Sequence, residues 1–157
     1  TPVAAEGLEA VPLATGLEHP RWIHVAPNGD ILVAETNAPP RPEEYKGVRG
    51  AAMKAVMDKA GAVTPSANRI TLIRDRNGDG VAELKTPLVD QLNSPFGMAV
   101  VGNTLFVANT DAVVSFPYKA GQTRITQAPT HVADLPAGPR NHHWTKGLVA
   151  SKDGTKL

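Results

Sequence analysis

A pattern of short strand, glycine-containing turn and second strand occurs three times along the chain, and this recurrence constrains the fold more than any other feature. The copies span residues 20–36, 95–110 and 143–157. Each turn contains Asn-Gly, Gly-Asn or Asp-Gly, residues that tolerate the positive φ angles of tight hairpins. The second strands of the first two copies, residues 31–34 and 105–108, are apolar on both faces. Strands of this kind are buried on both faces, as happens where propeller blades stack.

The spacing of the copies predicts the architecture. Ile31 and Leu105 are 74 residues apart, Leu105 and Leu157 are 52 apart, and the longer interval contains an insertion at residues 37–68. A period of about 50 residues is typical of propeller blades. We therefore predict an all-β fold in which residues 1–157 form one domain, an incomplete N-terminal portion of a β-propeller with about two to three blades. Sandwiches and open meanders also use short strands, but neither demands this recurrence.

The insertion begins with a proline-rich exit from the strand and continues into a segment rich in Ala, Met and Lys. These residues are good helix formers, so we predict a short helix over residues 49–60. Ala52, Met53, Val56 and Met57 give this helix an apolar face. Two interpretations stay open, a helix packed on the side or rim of the propeller and a lid over a substrate channel.

Composition argues against several classes of function. The chain has 16 basic and 15 acidic residues and a net charge of +1, which offers no electrostatic attraction for nucleic acid or an anionic membrane. No stretch approaches the roughly 20 apolar residues of a membrane helix. The absence of cysteine excludes disulfides, thiolate metal sites and cysteine nucleophiles. No pattern of a serine hydrolase, a zincin or a phosphate-binding loop is present.

Residues 75–83 form an acidic loop between two predicted strands. Oxygen-bearing side chains stand at its positions 1, 3, 5 and 9 and a glycine at position 6, as in the start of a helix–loop–helix calcium site. Thr86 stands where that site has a bidentate glutamate. Calcium binding and a purely structural polar hairpin both stay open. The candidate ligands, which include one backbone carbonyl, are Asp75, Asn77, Asp79, Val81 and Glu83.

A histidine pair, His142 and His143, precedes the first strand of the third copy. The first strand of a propeller blade lines the central channel, and its entry faces the channel mouth. A histidine there can act as a general base, because its pKa lies close to neutral pH. Adjacent side chains on an extended chain point in different directions, so only one of the two faces the channel. A packing or hydrogen-bonding role is the alternative.

Five segments closely resemble the L-sorbosone dehydrogenase branch of the soluble glucose/sorbosone dehydrogenase family, namely residues 35–40, 65–72, 75–83, 93–98 and 141–146. The resemblance implies a six-bladed β-propeller that oxidises a sugar or sugar aldehyde. It further implies pyrroloquinoline quinone and calcium as cofactors and an external electron acceptor as partner. A periplasmic or secreted location is also implied, and the chain starts at Thr1 without a signal peptide, as a processed protein does.

The same resemblance assigns roles to residues. It aligns the family's catalytic base with His143, which takes the proton of the substrate hydroxyl while hydride passes to the quinone. His142, Lys146 and Arg21 are the candidate contacts to the anionic cofactor; in the glucose-oxidising branch an aspartate stands at the position of His142. The family's other cofactor contacts and its channel calcium ligands would lie in further blades, so we expect residues 1–157 alone to be inactive.

Two other functions are compatible with a propeller that holds no quinone. A metal-dependent lactonase needs a glutamate, an asparagine and an aspartate around one channel metal, for which Glu18, Asn93 and Asn109 are partial candidates. A non-catalytic binding propeller needs neither His143 nor a cofactor. Both alternatives, like the dehydrogenase, are expected to act without nucleic acid and without a membrane span.

Overall fold

Two groups of four consecutive strands dominate the computed structural model, which describes residues 3–40, 47–60, 64–138 and 141–157. The first four strands are β1 (Pro20–Val25), β2 (Ile31–Glu35), β3 (Arg69–Arg74) and β4 (Leu84–Val89). The next four are β5 (Met98–Val101), β6 (Thr104–Ala108), β7 (Ala112–Pro117) and β8 (Thr130–Asp134). Within the described ranges there is one helix, α1 (Gly47–Lys59), and no helix long and apolar enough to cross a bilayer.

Each group forms one antiparallel sheet, and its strands pair in chain order, β1-β2-β3-β4 and β5-β6-β7-β8. The β5–β6 hairpin has the tight turn that the sequence predicts: Val101 pairs with Thr104, and Gly102 adopts a φ of 55°. The β1–β2 hairpin is looser than predicted, because Val25 pairs with Ile31 and leaves residues 26–30 in the loop.

A common apolar core joins the two sheets. It contains residues from both blades, and among those with almost no exposed surface are Leu32, Leu72, Leu105 and Phe116. The prediction of an all-β fold is therefore confirmed, since the two sheets are stacked blades of a partial propeller-like arrangement. The prediction that residues 1–157 form a single domain with an insertion at 37–68 stays a prediction.

The two ends of the blades differ in what they carry. β1 and β5 begin at the same end, where the ring centroids of Trp22 and Phe96 lie 5.1 Å apart. We call this end the entry face, and the opposite end, with the β1–β2 and β5–β6 hairpins, the turn face. Because neighbouring strands are antiparallel, the insertion after β2 and the segment after β8 lie on the entry face. The β3–β4 and β7–β8 connections lie on the turn face.

The third copy of the repeat lies against the second blade without forming a strand. The N–H of Gly97 donates to the carbonyl of Lys146 at 3.0 Å, and the N–H of Ser151 closes a turn on the carbonyl of Lys156 at 2.9 Å. A strand requires a ladder of bonds to a neighbour, and no described strand pairs with residues 147–150. The predicted turn is present, whereas the predicted first strand is an extended segment.

The helix of the insertion is present but unpacked. It begins at Gly47 and ends at Lys59, close to the predicted bounds. None of its residues is buried, and it packs against none of the described strands. The described strands therefore do not cover this helix, and its two interpretations, packing on the side or rim of the propeller and a lid over a substrate channel, both stay predictions.

Candidate functional site

The histidine pair lies at an exposed tip on the entry face. His142 and His143 occupy a turn between the end of β8 and the extended segment beside β5, and both are exposed. Asn141 precedes the pair with a φ of 32°, an uncommon backbone conformation for a residue that carries a Cβ. We call residues 141–146 the histidine turn. Exposed imidazoles on this face are accessible to a small molecule that approaches along the blade entries.

Aromatic rings hold the segment that follows the pair. Trp144 is 8% exposed, and its ring packs edge-on against Phe96 with centroids 6.3 Å apart and an interplanar angle of 86°. Phe96 in turn contacts Trp22. Edge-to-face packing of this kind adds to the stabilisation that burial gives. The three rings therefore pack the part of the histidine turn that follows the pair against the entries of both blades.

Two cationic side chains lie beside the histidine turn. The guanidinium carbon of Arg21 is 5.7 Å from the ring centroid of Trp144, a cation–π contact. The Nζ of Lys146 donates to the carbonyls of Pro136 at 2.8 Å and His143 at 3.0 Å. The contact with Trp144 thus brings Arg21 next to the turn that carries His142, His143 and Lys146, and the roles of these four residues stay predictions. Arg21 lies far from His142, His143 and Lys146 in the sequence, and the contact between β1 and β5 brings it close to them in space.

The charge of this arrangement is compatible with an anionic cofactor. Arg21 and Lys146 supply positive charge next to exposed imidazoles, and an anionic cofactor binds where cations converge. Arg21, Lys146 and His142 are the residues that would hold the quinone. A separate cavity of about 320 Å³ near Asn28, Asn103 and Tyr118 lies on the turn face.

The acidic loop forms a compact cluster on the turn face. Ligand oxygens of Asp75, Asp79 and Glu83 all lie within 4.8 Å of one another. The loop is organised by its own carboxylates, because Asp75 accepts the N–H groups of Gly80 at 2.8 Å and Gly78 at 2.7 Å. These backbone bonds, with that from Gly80 the largest cause, hold the pKa of Asp75 below its usual value. The same bonds fix the position of the Asp75 carboxylate in the loop.

Two further predicted ligands belong to the same loop. The Oδ1 of Asn77 accepts the N–H of Asp79 at 2.9 Å, and the Oδ1 of Asp79 accepts the N–H of Val81 at 2.8 Å. The Oε2 of Glu83 accepts the N–H of Arg76 at 2.6 Å. The five predicted ligands are thus close together, but they lie at the opposite end of the blade from His143. A cation bound in this loop would not touch a substrate held at the histidine turn.

Two buried ion pairs escaped the sequence analysis. The carboxylate of Glu35 is 1% exposed and accepts bonds from Arg69 and Thr71 and from the N–H of Glu18. Burial alone raises the pKa of Glu35, but these donors outweigh it and the pKa falls below its usual value. Asp30, also 1% exposed, is bound by Arg74 at 2.5 Å. The bonds from Arg74 are the main cause of the lowered pKa of Asp30.

Both pairs were discoverable only with the strand register. Ile31 pairs with Ile73 and Glu35 pairs with Arg69 in the β2–β3 ladder, which sets Asp30 beside Arg74. The two carboxylate–arginine pairs therefore lie at opposite ends of the β2–β3 ladder as cross-strand pairs. The sequence contains no local signal for either pair, because the insertion separates the partners along the chain.

The side chains of the residues considered for a lactonase all take part in hydrogen bonds or ion pairs within the chain. The Oε1 of Glu18 binds the Nη2 of Arg69 at 3.1 Å. The Oδ1 of Asn109 accepts the N–H of Asn93 at 3.3 Å, and the side-chain amide of Asn93 donates to Asp111 at 2.8 Å. Among the described residues, acidic and histidine side chains gather at metal-ligand spacing only in the acidic loop.

Comparison with protein families gives a match to the TrAA12-like family over residues 2–157. No curated protein and no solved structure matches the chain significantly. The family comprises proteins similar to the quinone-dependent sorbosone and glucose dehydrogenases, which supports the resemblance at the level of the family. Assignment to the L-sorbosone branch stays a prediction. The match covers nearly the whole chain, and the chain belongs to the TrAA12-like family, whose function at a coarse level is quinone-type sugar oxidation.

Proposed function

We propose that this protein oxidises a sugar or sugar aldehyde with pyrroloquinoline quinone, at a site on the entry face of the propeller. The observation that carries the proposal is the convergence of the exposed histidine pair with Arg21 and Lys146 in a chain of the TrAA12-like family. When bound, the quinone supplies the hydride acceptor. The chain's own residues then need to supply orientation, positive charge and a base. Sugars and sugar aldehydes of the sorbosone and glucose type are the proposed substrate class.

His143 is the proposed base. It lies at the tip of the histidine turn, where an imidazole nitrogen can reach a substrate hydroxyl and accept its proton. Exposure keeps the imidazole in contact with water, which then takes the proton away. The proposed role of Arg21, Lys146 and His142 is to hold the anionic cofactor. Lys146 has a second effect in this scheme, since its bond to the carbonyl of His143 fixes the backbone that carries the base.

We further propose that the acidic loop binds a structural calcium ion. The support is the spacing of its carboxylate oxygens and the lowered pKa of Asp75, which keeps that ligand ionised. Hard cations such as calcium prefer ligand sets of this kind. The ion would stabilise the β3–β4 connection and would have no part in the oxidation. A periplasmic or secreted location, where calcium is plentiful and an external electron acceptor is accessible, belongs to the same proposal.

The test is a dye-linked assay of the full-length protein with calcium, the quinone and a panel of sugars and sugar aldehydes. We expect activity that requires the quinone and falls by a factor of about 10²–10⁴ in His143→Gln. His131→Gln is the matched control, because His131 is also exposed but pairs with Asp134 at 2.9 Å in β8. The control should keep wild-type activity.

The same assay separates the alternatives. Activity without the quinone, or an unchanged rate in His143→Gln, would contradict the proposal. Hydrolysis of a lactone that depends on a metal and ignores the quinone would favour the lactonase. Lack of both activities together with tight binding of a sugar would favour a non-catalytic binding propeller.

A further inference from the structure

The histidine turn is anchored on both sides of the exposed pair. Behind the pair, Trp144 packs against Phe96, and the carbonyl of Lys146 accepts the N–H of Gly97 at 3.0 Å. Ahead of the pair, the Nδ2 of Asn141 donates to the Oγ1 of Thr110 at 2.6 Å. The aromatic anchor is part of the apolar packing between the blades. The polar anchor lies directly next to the histidines.

The backbone of Asn141 needs this anchor. Its φ of 32° is unfavourable for any residue with a Cβ. Such conformations persist where surrounding contacts fix them, and they cluster at functional sites. The bond from its side-chain amide to Thr110 is the contact that fixes this residue. The direction in which the chain enters the histidine pair is therefore set by Thr110.

Thr110 is itself held rigidly in the second blade. It is 4% exposed and lies in the connection between β6 and β7. Its N–H donates to the carbonyl of Asn93 at 2.9 Å. Asn93 also binds the side chains of Asn109 and Asp111, which belong to the same connection. The hydroxyl of Thr110 is thus a fixed acceptor, and the bond from Asn141 ties the exposed tip of the turn to it.

We propose that Thr110 and Asn141 are positioning residues that hold His143 where it can accept a proton from the substrate. The inference rests on the proposed function, since His143 is the base there. A base works only within hydrogen-bond reach of the proton that it takes. A displacement of about 1 Å can lower a rate by about 100-fold. Neither Thr110 nor Asn141 contacts the substrate in this scheme, so their effect reaches the reaction only through the histidine turn.

Thr110→Val tests the proposal, because valine keeps the shape of threonine and removes the acceptor. We expect the ¹⁵N order parameters of the amides of residues 142–146 to fall from about 0.85 to below about 0.6. We also expect kcat to fall by about 10- to 100-fold, while KM changes by less than roughly two-fold because substrate binding is not touched. Thr110→Ser keeps the hydroxyl and should restore both values. Thr123→Val, on the exposed β7–β8 loop, is the matched control and should change neither.

Asn141→Gly provides an independent test. Glycine adopts positive φ without strain, so this variant keeps the backbone path and removes only the amide that binds Thr110. It should loosen the turn and lower kcat as Thr110→Val does, and it carries the test if Thr110→Val does not fold. Order parameters equal to those of the wild type in the folded variants would overturn the proposal. Wild-type protein without quinone-dependent oxidation would overturn the proposed function, and the order parameters alone would then decide whether Thr110 and Asn141 hold the turn.

Discussion

Gly97 lies at a close approach between the second blade and the segment that follows the histidine turn. A Cβ at this position would lie 2.7 Å from the carbonyl oxygen of Lys146 and would also meet the backbone of Leu148. Backbone atoms cannot rotate away as the end of a long side chain can. The glycine is therefore required by the packing of the segment that carries the proposed base.

We predict that Gly97→Ala destabilises the protein by about 1–3 kcal/mol, because the added methyl group forces the segment away from β5. Urea unfolding measures this loss, and the dye-linked activity should fall with it, since the histidine turn moves with the segment. Gly147→Ala is the matched control, because a Cβ at Gly147 meets no atom within 4 Å. Equal unfolding midpoints for the two variants would contradict the argument.

The buried pair of Asp30 and Arg74 gives a second prediction for single residues. Arg74→Met leaves a carboxylate that is 1% exposed without its partner, and the expected loss is about 3–5 kcal/mol at pH 7. Arg124→Met is the control, because the pair of Arg124 and Asp90 has side chains that are 52% and 41% exposed. Exposed pairs contribute about 0–1 kcal/mol. A small loss in Arg74→Met by urea unfolding at pH 7 would count against a structural role for this pair.

The pH dependence of this loss follows from the lowered pKa of Asp30. A carboxyl whose pKa is lower in the folded state stabilises that state fully above its unfolded pKa, which is about 3.9 for aspartate. The stabilisation is lost as the pH falls below that value and through the folded pKa. The difference in unfolding free energy between the wild type and Arg74→Met should therefore narrow in acid. A difference that widens in acid would have the wrong sign.

At the scale of the element, the β5–β6 hairpin was predictable from local sequence, whereas the exact length of the β1–β2 loop and the longer connections were not. Turn residues at 102–103 and apolar runs on either side specify β5 and β6, because both signals lie within a few residues of each other. The β1–β2 loop is longer than expected because Pro27 has no N–H for a ladder bond. The unpacked state of α1 depends on what the helix meets in space, which local propensity does not encode.

The candidate site shows the same division. The histidine pair and the acidic loop were visible as compact motifs, and the structure keeps each motif together. The histidine pair and the acidic loop lie on opposite faces because of the directions of the strands that precede them. These directions are known once the strand order within each blade is known. Thr110 lacked any signal of its own, because its importance comes from a single bond to a residue 31 positions away.

The acidic loop supports a prediction at this scale. Calcium should raise the stability of the wild type by about 2.7 kcal/mol at a concentration 100-fold above its Kd. Asp75→Asn should abolish most of that gain, because it removes the charge of the first ligand. Asp58→Asn, a matched charge change in the exposed helix α1, should leave the gain intact. Thermal melts with calcium and with a chelator measure this gain in stability. A wild type with the same melting temperature under the two conditions would rule out the calcium proposal.

At the scale of the whole molecule, the candidate catalytic and cofactor-binding residues lie at one end of the two blades. The entry face gathers the insertion, the histidine turn, Arg21 and Lys146, whereas the turn face carries the acidic loop and the tight hairpins. The core between the blades ties these positions together, so the entry of β1 can contribute Arg21 to a turn more than 100 residues later in the chain. The family match and this division both support the proposal of a quinone-dependent oxidation on the entry face.

One measurement tests that conclusion most directly: the rate at which the bound quinone is reduced in a single anaerobic turnover, followed by its absorbance, in the full-length wild type and in His143→Gln. Quinone binding is measured separately by titration in both proteins. The account predicts equal quinone affinity and a reduction rate lower by about 10²–10⁴ in the variant. Equal reduction rates, or a wild type that does not bind the quinone, would contradict it.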